Sequence, residues 1–265
     1  MSSESARLGA IYYAVAGPAG APVVLLLHGL GSCADDWAPQ IAALAPRYRV
    51  LAVDLPGHHR SARPRGAPSV ARMAADVEAL LDRLAIPRAH VVGLSLGGCV
   101  ALALALHAPA RVRSLVLINS FAHLRSRGLR GVVRGVGRAV LAAVAPMSTV
   151  AAYVAREAFP HAEQASLRKA AAARLAANPR RHYLGCLGAL ARFDVRTRLR
   201  EIRCPTLVIA GTLDATVPMA AKELLAHAIP GARMELVRES GHVTPIDQAE
   251  ALNALLLAHL SGTDG

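Results

Sequence analysis

A short apolar run, Ala89-His90-Val91-Val92, drives straight into Gly93-Leu94-Ser95-Leu96-Gly97, and small residues continue from Gly98 to Leu106 before Pro109. The pattern reads as strand, sharp turn, helix. A serine at such a turn is forced to the tip of a strained elbow with its hydroxyl exposed. Glycines flank it because side chains there would collide where strand and helix nearly touch. Gly-x-Ser-x-Gly alone should arise by chance in roughly one chain of this length in ten, so the flanking strand and helix are what give it weight.

The same rhythm extends over most of the chain. Apolar runs at 11–15, 23–27, 50–53, 90–93, 114–118, 206–210 and 234–237 read as strands. Helical stretches at 36–43, 70–84, 96–107, 220–228 and 249–260 fall between or after them. Alternation of this kind predicts an α/β fold, a mostly parallel sheet with helices on both faces. Pro56, Pro87, Pro109 and Pro205 sit between elements, where a missing amide donor does least harm. The rhythm breaks between Ile118 and Pro205, which reads as a helical insert over the strand ends.

The 265 residues suffice for a substantial core. The N-terminus lacks the charged and apolar regions of a signal peptide, and no apolar run approaches the roughly 20 residues of a membrane helix. Cys33, Cys99, Cys186 and Cys204 are widely spaced, which fits free thiols in a reducing cytoplasm. Charge is unevenly placed. Residues 121–203 contain 16 Lys or Arg against 4 acids, while the remainder balances, so the whole net charge of +12 sits in the insert. Uniform basicity would suggest nucleic-acid binding; this asymmetry argues against it and for a module that faces something anionic.

An elbow serine is a weak nucleophile until a base takes its proton, and a third group must orient the base. On such elbows the partners follow in the order Ser, acid, His. The strand at 206–210 opens into Gly211-Thr212-Leu213-Asp214, and Ser240-Gly241-His242 follows the last strand. Asp214 and His242 are therefore the expected partners of Ser95. The strand at 114–118 ends in Asn119-Ser120 and offers no carboxylate; Asp194 and Asp247 are the reserve candidates. The oxyanion hole needs two amide donors, expected from Leu96 after the nucleophile and Leu30 in the loop His28-Gly29-Leu30-Gly31-Ser32. His28 is expected to pin that loop rather than act as a base.

Together, LLLHGLGS (25–32), DLPGHHRS (54–61), GLSLGG (93–98), GTLDATVP (211–218) and SGH (240–242) resemble the α/β-hydrolase superfamily in order and spacing. Position 59 departs from the family's usual glycine, although histidine tolerates positive φ better than most residues. The resemblance implies a core of residues 1–120 and 204–265, with a helical cap, 121–203, inserted after the sixth strand. The compact insert and Ala177-Asn178-Pro179-Arg180-Arg181-His182-Tyr183 look most like the enol-lactonase and small carboxylesterase branch. Carbon–carbon bond hydrolases of the superfamily usually have Trp after the catalytic His, where Val243 stands here.

The expected activity is therefore a serine hydrolase acting on a small carboxylic ester or lactone, with no metal or organic cofactor and no ligand cluster for one. Arg130, Arg134 and Arg138 recur every four residues and, with Arg180 and Arg181, could draw in an anionic substrate. Trp37 and Val243 are further candidate pocket residues. A thioesterase or esterase acting on acyl groups of coenzyme A or acyl carrier protein is one rival, a carbon–carbon bond hydrolase a second, and a ligand-binding receptor that hardly turns over a third. A monomer or homodimer is expected.

Overall fold

The computed structural model describes residues 4–123, 137 and 140–263. Eight strands form one sheet in the order β1-β2-β4-β3-β5-β6-β7-β8. Strands β3 (Val23–Leu27), β4 (Arg49–Val53), β5 (Ala89–Leu94), β6 (Val112–Ile118), β7 (Thr206–Gly211) and β8 (Arg233–Val237) run parallel. At one end, β1 (Glu4–Leu8) and β2 (Ile11–Ala16) pair antiparallel.

The central strands are near-continuous apolar runs because both faces are covered. Side chains alternate between two cores. Leu25 and Leu27 face one with Leu115, Leu117 and Val208, while Val24 and Leu26 face the other with Val116, Ile118 and Ile209. Helix α2 (Val70–Arg83) buries Val70, Met73, Ala74, Val77, Leu80 and Leu81, one face at helical spacing, and the Ser69 hydroxyl accepts the Arg72 amide at its start. Helix α3 (Leu96–His107) is buried along most of its surface.

Six of the seven expected strands begin or end a residue or two from the expected bounds, and the helix at 36–43 starts with a 3₁₀ turn at Ala34–Trp37 before α1 (Ala38–Leu44). Strand β1 was not expected. Its sequence ESARL has no apolar run, and only its antiparallel partner β2 makes it a strand.

The chain goes from β3 to β4 on one side and then crosses to β5 on the other. Loops leaving β3 and β5 at their carboxyl ends therefore diverge, and a crevice opens at such a reversal of strand order. Helices Met147–Ala158, Ala165–Ala176 and Arg180–Arg192 lie between β6 and β7 and build a small core of Val150, Ala151, Leu175 and Tyr183 against Leu30. They meet the carboxyl edge of the sheet. The Asn178 amide donates to Gly31 O at 3.0 Å, and His242 N donates to Ala158 O at 3.3 Å.

Candidate active site

Ser95 stands between β5 and α3 with φ 52° and ψ −112°, a strained backbone for any residue with a Cβ. The turn is this tight because neighbouring backbones touch. A Cβ on Gly97 would lie 2.0 Å from Leu27 O, and one on Gly93 would lie 2.4 Å from Gly97 O. Hydrogen bonds hold the strain: Ser95 N donates to Ile118 O at 2.9 Å, and the Ser120 hydroxyl donates to Ser95 O at 2.9 Å.

His242 Nδ1 lies 3.0 Å from Asp214 Oδ1. Asp214 also accepts the amides of Thr216 at 2.8 Å and Val217 at 3.2 Å, so its orientation is fixed by its own loop. Burial opposes the Asp214 charge, but His242 and Lys222 outweigh it and hold the carboxyl below its ordinary range. An ionised acceptor places the proton on Nδ1 and leaves Nε2 as a free lone pair.

Two residues at this edge escaped sequence reasoning. Lys222, on helix Met219–Ala228, places Nζ 2.8 Å from Asp214 Oδ2, with side chains 1% and 0% exposed. The two form a buried charge pair. Nothing in a helix sequence marks one lysine as the buried one.

Asn119 is the other. Its side-chain amide donates to Gly241 O at 3.2 Å, His242 O at 2.9 Å and Thr244 Oγ1 at 2.9 Å, and its Oδ1 accepts Gly211 N at 2.9 Å. Ser95 is thus tied to Ile118, and the His242 loop to the next residue in the chain. A polar residue at the end of the buried run 114–118 was the available signal.

The amides of Leu30 and Leu96 donate to no partner among the described residues. His28 holds the first of these loops. Leu55 N donates to its Nε2 at 2.9 Å, so Nδ1 carries the proton and donates to Gly29 O at 2.7 Å. Burial pushes His28 down to about 4, which keeps it neutral. Asp54 braces the neighbouring loop, accepting Ala34 N at 2.7 Å and Arg60 Nε at 2.8 Å. His59 adopts φ 42°, so the turn survives without glycine.

Other expected site residues fall elsewhere. Trp37 is 1% exposed and packs in the core beneath α1 rather than in an open pocket. Arg180 spends its guanidinium on the carbonyls of Ala143 and Ala145, so it ties backbone ends together instead of waiting for an anion. Arg181 is exposed, and Val243 is half-buried at the start of the short helix Thr244–Asp247. Asp247 binds Ser240 Oγ at 2.8 Å and Gly241 N at 2.6 Å, and Asp194 pairs with Arg196; neither replaces Asp214 against the His242 ring. Arg130, Arg134 and Arg138 lie outside the described residues. A recess of about 530 Å³ opens beside the loop after β3, bordered by Gly31, Arg60, Arg63, Arg174 and Asn178; Arg60 pairs with Asp35 and Asp54, and Arg174 with Asp36.

A mostly parallel eight-stranded sheet with a serine on a strained strand-to-helix turn defines the class. Residues 22–249 match the family model of the alpha/beta hydrolase fold, and the chain belongs to that family. A chain of Azorhizobium caulinodans provisionally named carbamate hydrolase RutD is 36% identical over 262 residues, 96% of each chain. The 3-oxoadipate enol-lactonase 2 of Acinetobacter baylyi is 31% identical over 248 residues, 92% of this chain and 90% of that one. The solved enol-lactonase of Burkholderia xenovorans LB400 superposes with a TM-score of 0.88 at 30% identity, covering 97% of this chain and all of its own. The protein is a hydrolase of this fold. No helix among the described residues is long and apolar enough to cross a membrane.

Proposed function

We propose that the protein is a serine hydrolase that cleaves a small carboxylic ester or lactone through an acyl-enzyme. The observation that supports this best is the His242–Asp214 contact at 3.0 Å, with the histidine loop and Ser95 anchored on consecutive residues, Asn119 and Ile118. In this reading Ser95 Oγ attacks the carbonyl carbon and its proton passes to His242 Nε2. Asp214 stabilises the resulting imidazolium, and the amides of Leu30 and Leu96 bind the oxyanion. Collapse of the tetrahedral intermediate breaks the acyl–oxygen bond, with the leaving alcohol taking the proton from His242. Water, deprotonated by the same nitrogen, then releases the acid and frees Ser95. Residues 121–203 act as the cap over this centre.

A carbamate is the second reading, favoured by the RutD relatives, one of them 38% identical. Its carbonyl would meet the same nucleophile. The test is a panel of p-nitrophenyl esters, lactones, carbamates and acyl thioesters offered to the wild type and to Ser95→Ala. Turnover of esters or lactones that vanishes in the variant supports the proposal. Turnover confined to carbamates selects the second reading, and turnover confined to thioesters selects the coenzyme A-type rival. Turnover that survives the substitution overturns the serine mechanism.

A further inference from the structure

Beyond the candidate triad, three side chains from two distant parts of the sequence meet in the interior. His182 and Cys186 stand four residues apart on helix Arg180–Arg192 and so share one face. His58 comes from the loop after β4, and all three are buried. Their donor atoms lie within 4.8 Å of one another. Gly57 lets the helix approach this closely, since a Cβ there would lie 2.0 Å from His182 Cε1.

We propose that His58, His182 and Cys186 bind a single thiophilic divalent metal ion, Zn²⁺ by preference, which clips helix Arg180–Arg192 to the core.

Three features of the cluster support this. Cys186 Sγ lies 3.3 Å from His182 Nε2, close to the edge of about 3.5 Å that a tetrahedral zinc gives with one sulfur and one nitrogen ligand. His58 Nδ1 faces Pro56 O at 3.3 Å, which places the ring proton on that nitrogen and leaves Nε2 as a lone pair. That Nε2 is fully buried and has no hydrogen-bond partner among the described residues. A buried nitrogen without a partner needs an explanation, and a carbonyl behind a histidine is the usual support of a ligating ring.

Cys186 is a free, buried thiol. Binding breaks the S–H bond, forms the metal–sulfur bond and releases one proton to solvent. Two imidazoles and a thiolate suit Zn²⁺ or Co²⁺ and disfavour Mg²⁺ and Ca²⁺. With three protein donors in the group, a water completes a tetrahedron.

A second group, Cys33, Asp35 and His59, provides the control, although Asp35 and His59 are exposed and Asp35 already pairs with Arg60. The full-length chain, stripped of metal, is titrated with Co²⁺ while the thiolate-to-cobalt absorption band is followed. One equivalent should saturate the band, and Zn²⁺ should abolish it. Cys186→Ser and His182→Gln should lose the band while circular dichroism and ester turnover stay unchanged. Zn²⁺ should raise the thermal midpoint of the wild type but not of Cys186→Ser. Absence of a saturable band in the wild type overturns the proposal. So does a band that persists in Cys186→Ser and disappears in Cys33→Ser, which would move the metal to the other group.

Discussion

Ser95, at φ 52°, pays a strain that glycine would not, about 1–2 kcal/mol for a left-handed L-residue. Ser95→Ala keeps that strain and removes the proposed nucleophile, so ester turnover should fall by about 10³-fold or more with the fold intact. Ser95→Gly should be equally inactive yet more stable than Ser95→Ala by about 1 kcal/mol, measured by denaturant unfolding. Equal stability of the two variants would show the elbow to be relaxed. Lys222 supports a second expectation. Its charge beside Asp214 Oδ2 draws on the carboxylate that, in the proposed mechanism, stabilises the imidazolium. Lys222→Met should move the pH of half-maximal activity upward by about half a unit, while the wild-type profile keeps its shape. A downward or absent shift would mean that the lysine only fills space.

Among the elements, the last helix, Ala249–Ser261, holds a side chain without a hydrogen-bond partner among the described residues. His259 is buried with no partner for either ring nitrogen among the described residues. Burial, with Arg233 and His90 adding to it, lowers its pKa to about 4. Such a base stays neutral in the folded state while the unfolded chain takes up a proton below about pH 6.5. The stability it permits is complete above that pH and is lost as pH falls from about 6.5 to about 4. His259→Leu should therefore match or exceed wild-type stability at neutral pH, by about 1 kcal/mol at most, since an unpaired polar group is removed. Its melting temperature should fall less steeply on acidification. A parallel acid limb in the two proteins would exclude this helix as a source of acid sensitivity. The strands show why some elements were legible. β3, β5, β6 and β7 announce themselves as buried apolar runs, whereas β1 is polar and exists through pairing alone.

For the whole molecule, the confined charge is the sharpest lever. Residues 121–203 hold the full excess of +12, and Arg63 borders the recess beside the loop after β3. Such a field raises the local concentration of anions and is screened over about 8–10 Å at moderate salt. An ester bearing a carboxylate should therefore show a higher kcat/KM than a neutral ester of equal size, with the advantage shrinking as salt rises. Equal salt dependence for the pair would reduce the arginines to a solvated surface. Arg180 is already engaged by backbone carbonyls, so Arg180→Gln should loosen the inserted helices more than it alters this preference.

Local chemistry was enough to make much of this protein legible. Apolar runs of strand length specify buried parallel strands, and glycines around Ser95 specify a turn that only close backbone contact explains. The order Ser95, Asp214, His242 follows the chain, so it can be read along it. Steric and hydrophobic preferences between near neighbours decide all of these. Which polar groups meet across the fold is decided differently. Lys222 against Asp214, Asn119 beneath the His242 loop, and His58 beside His182 and Cys186 join segments that share no local pattern. Those contacts exist only once the sheet has fixed where each loop ends and burial has removed water as a competing partner, so the tertiary structure alone decided them.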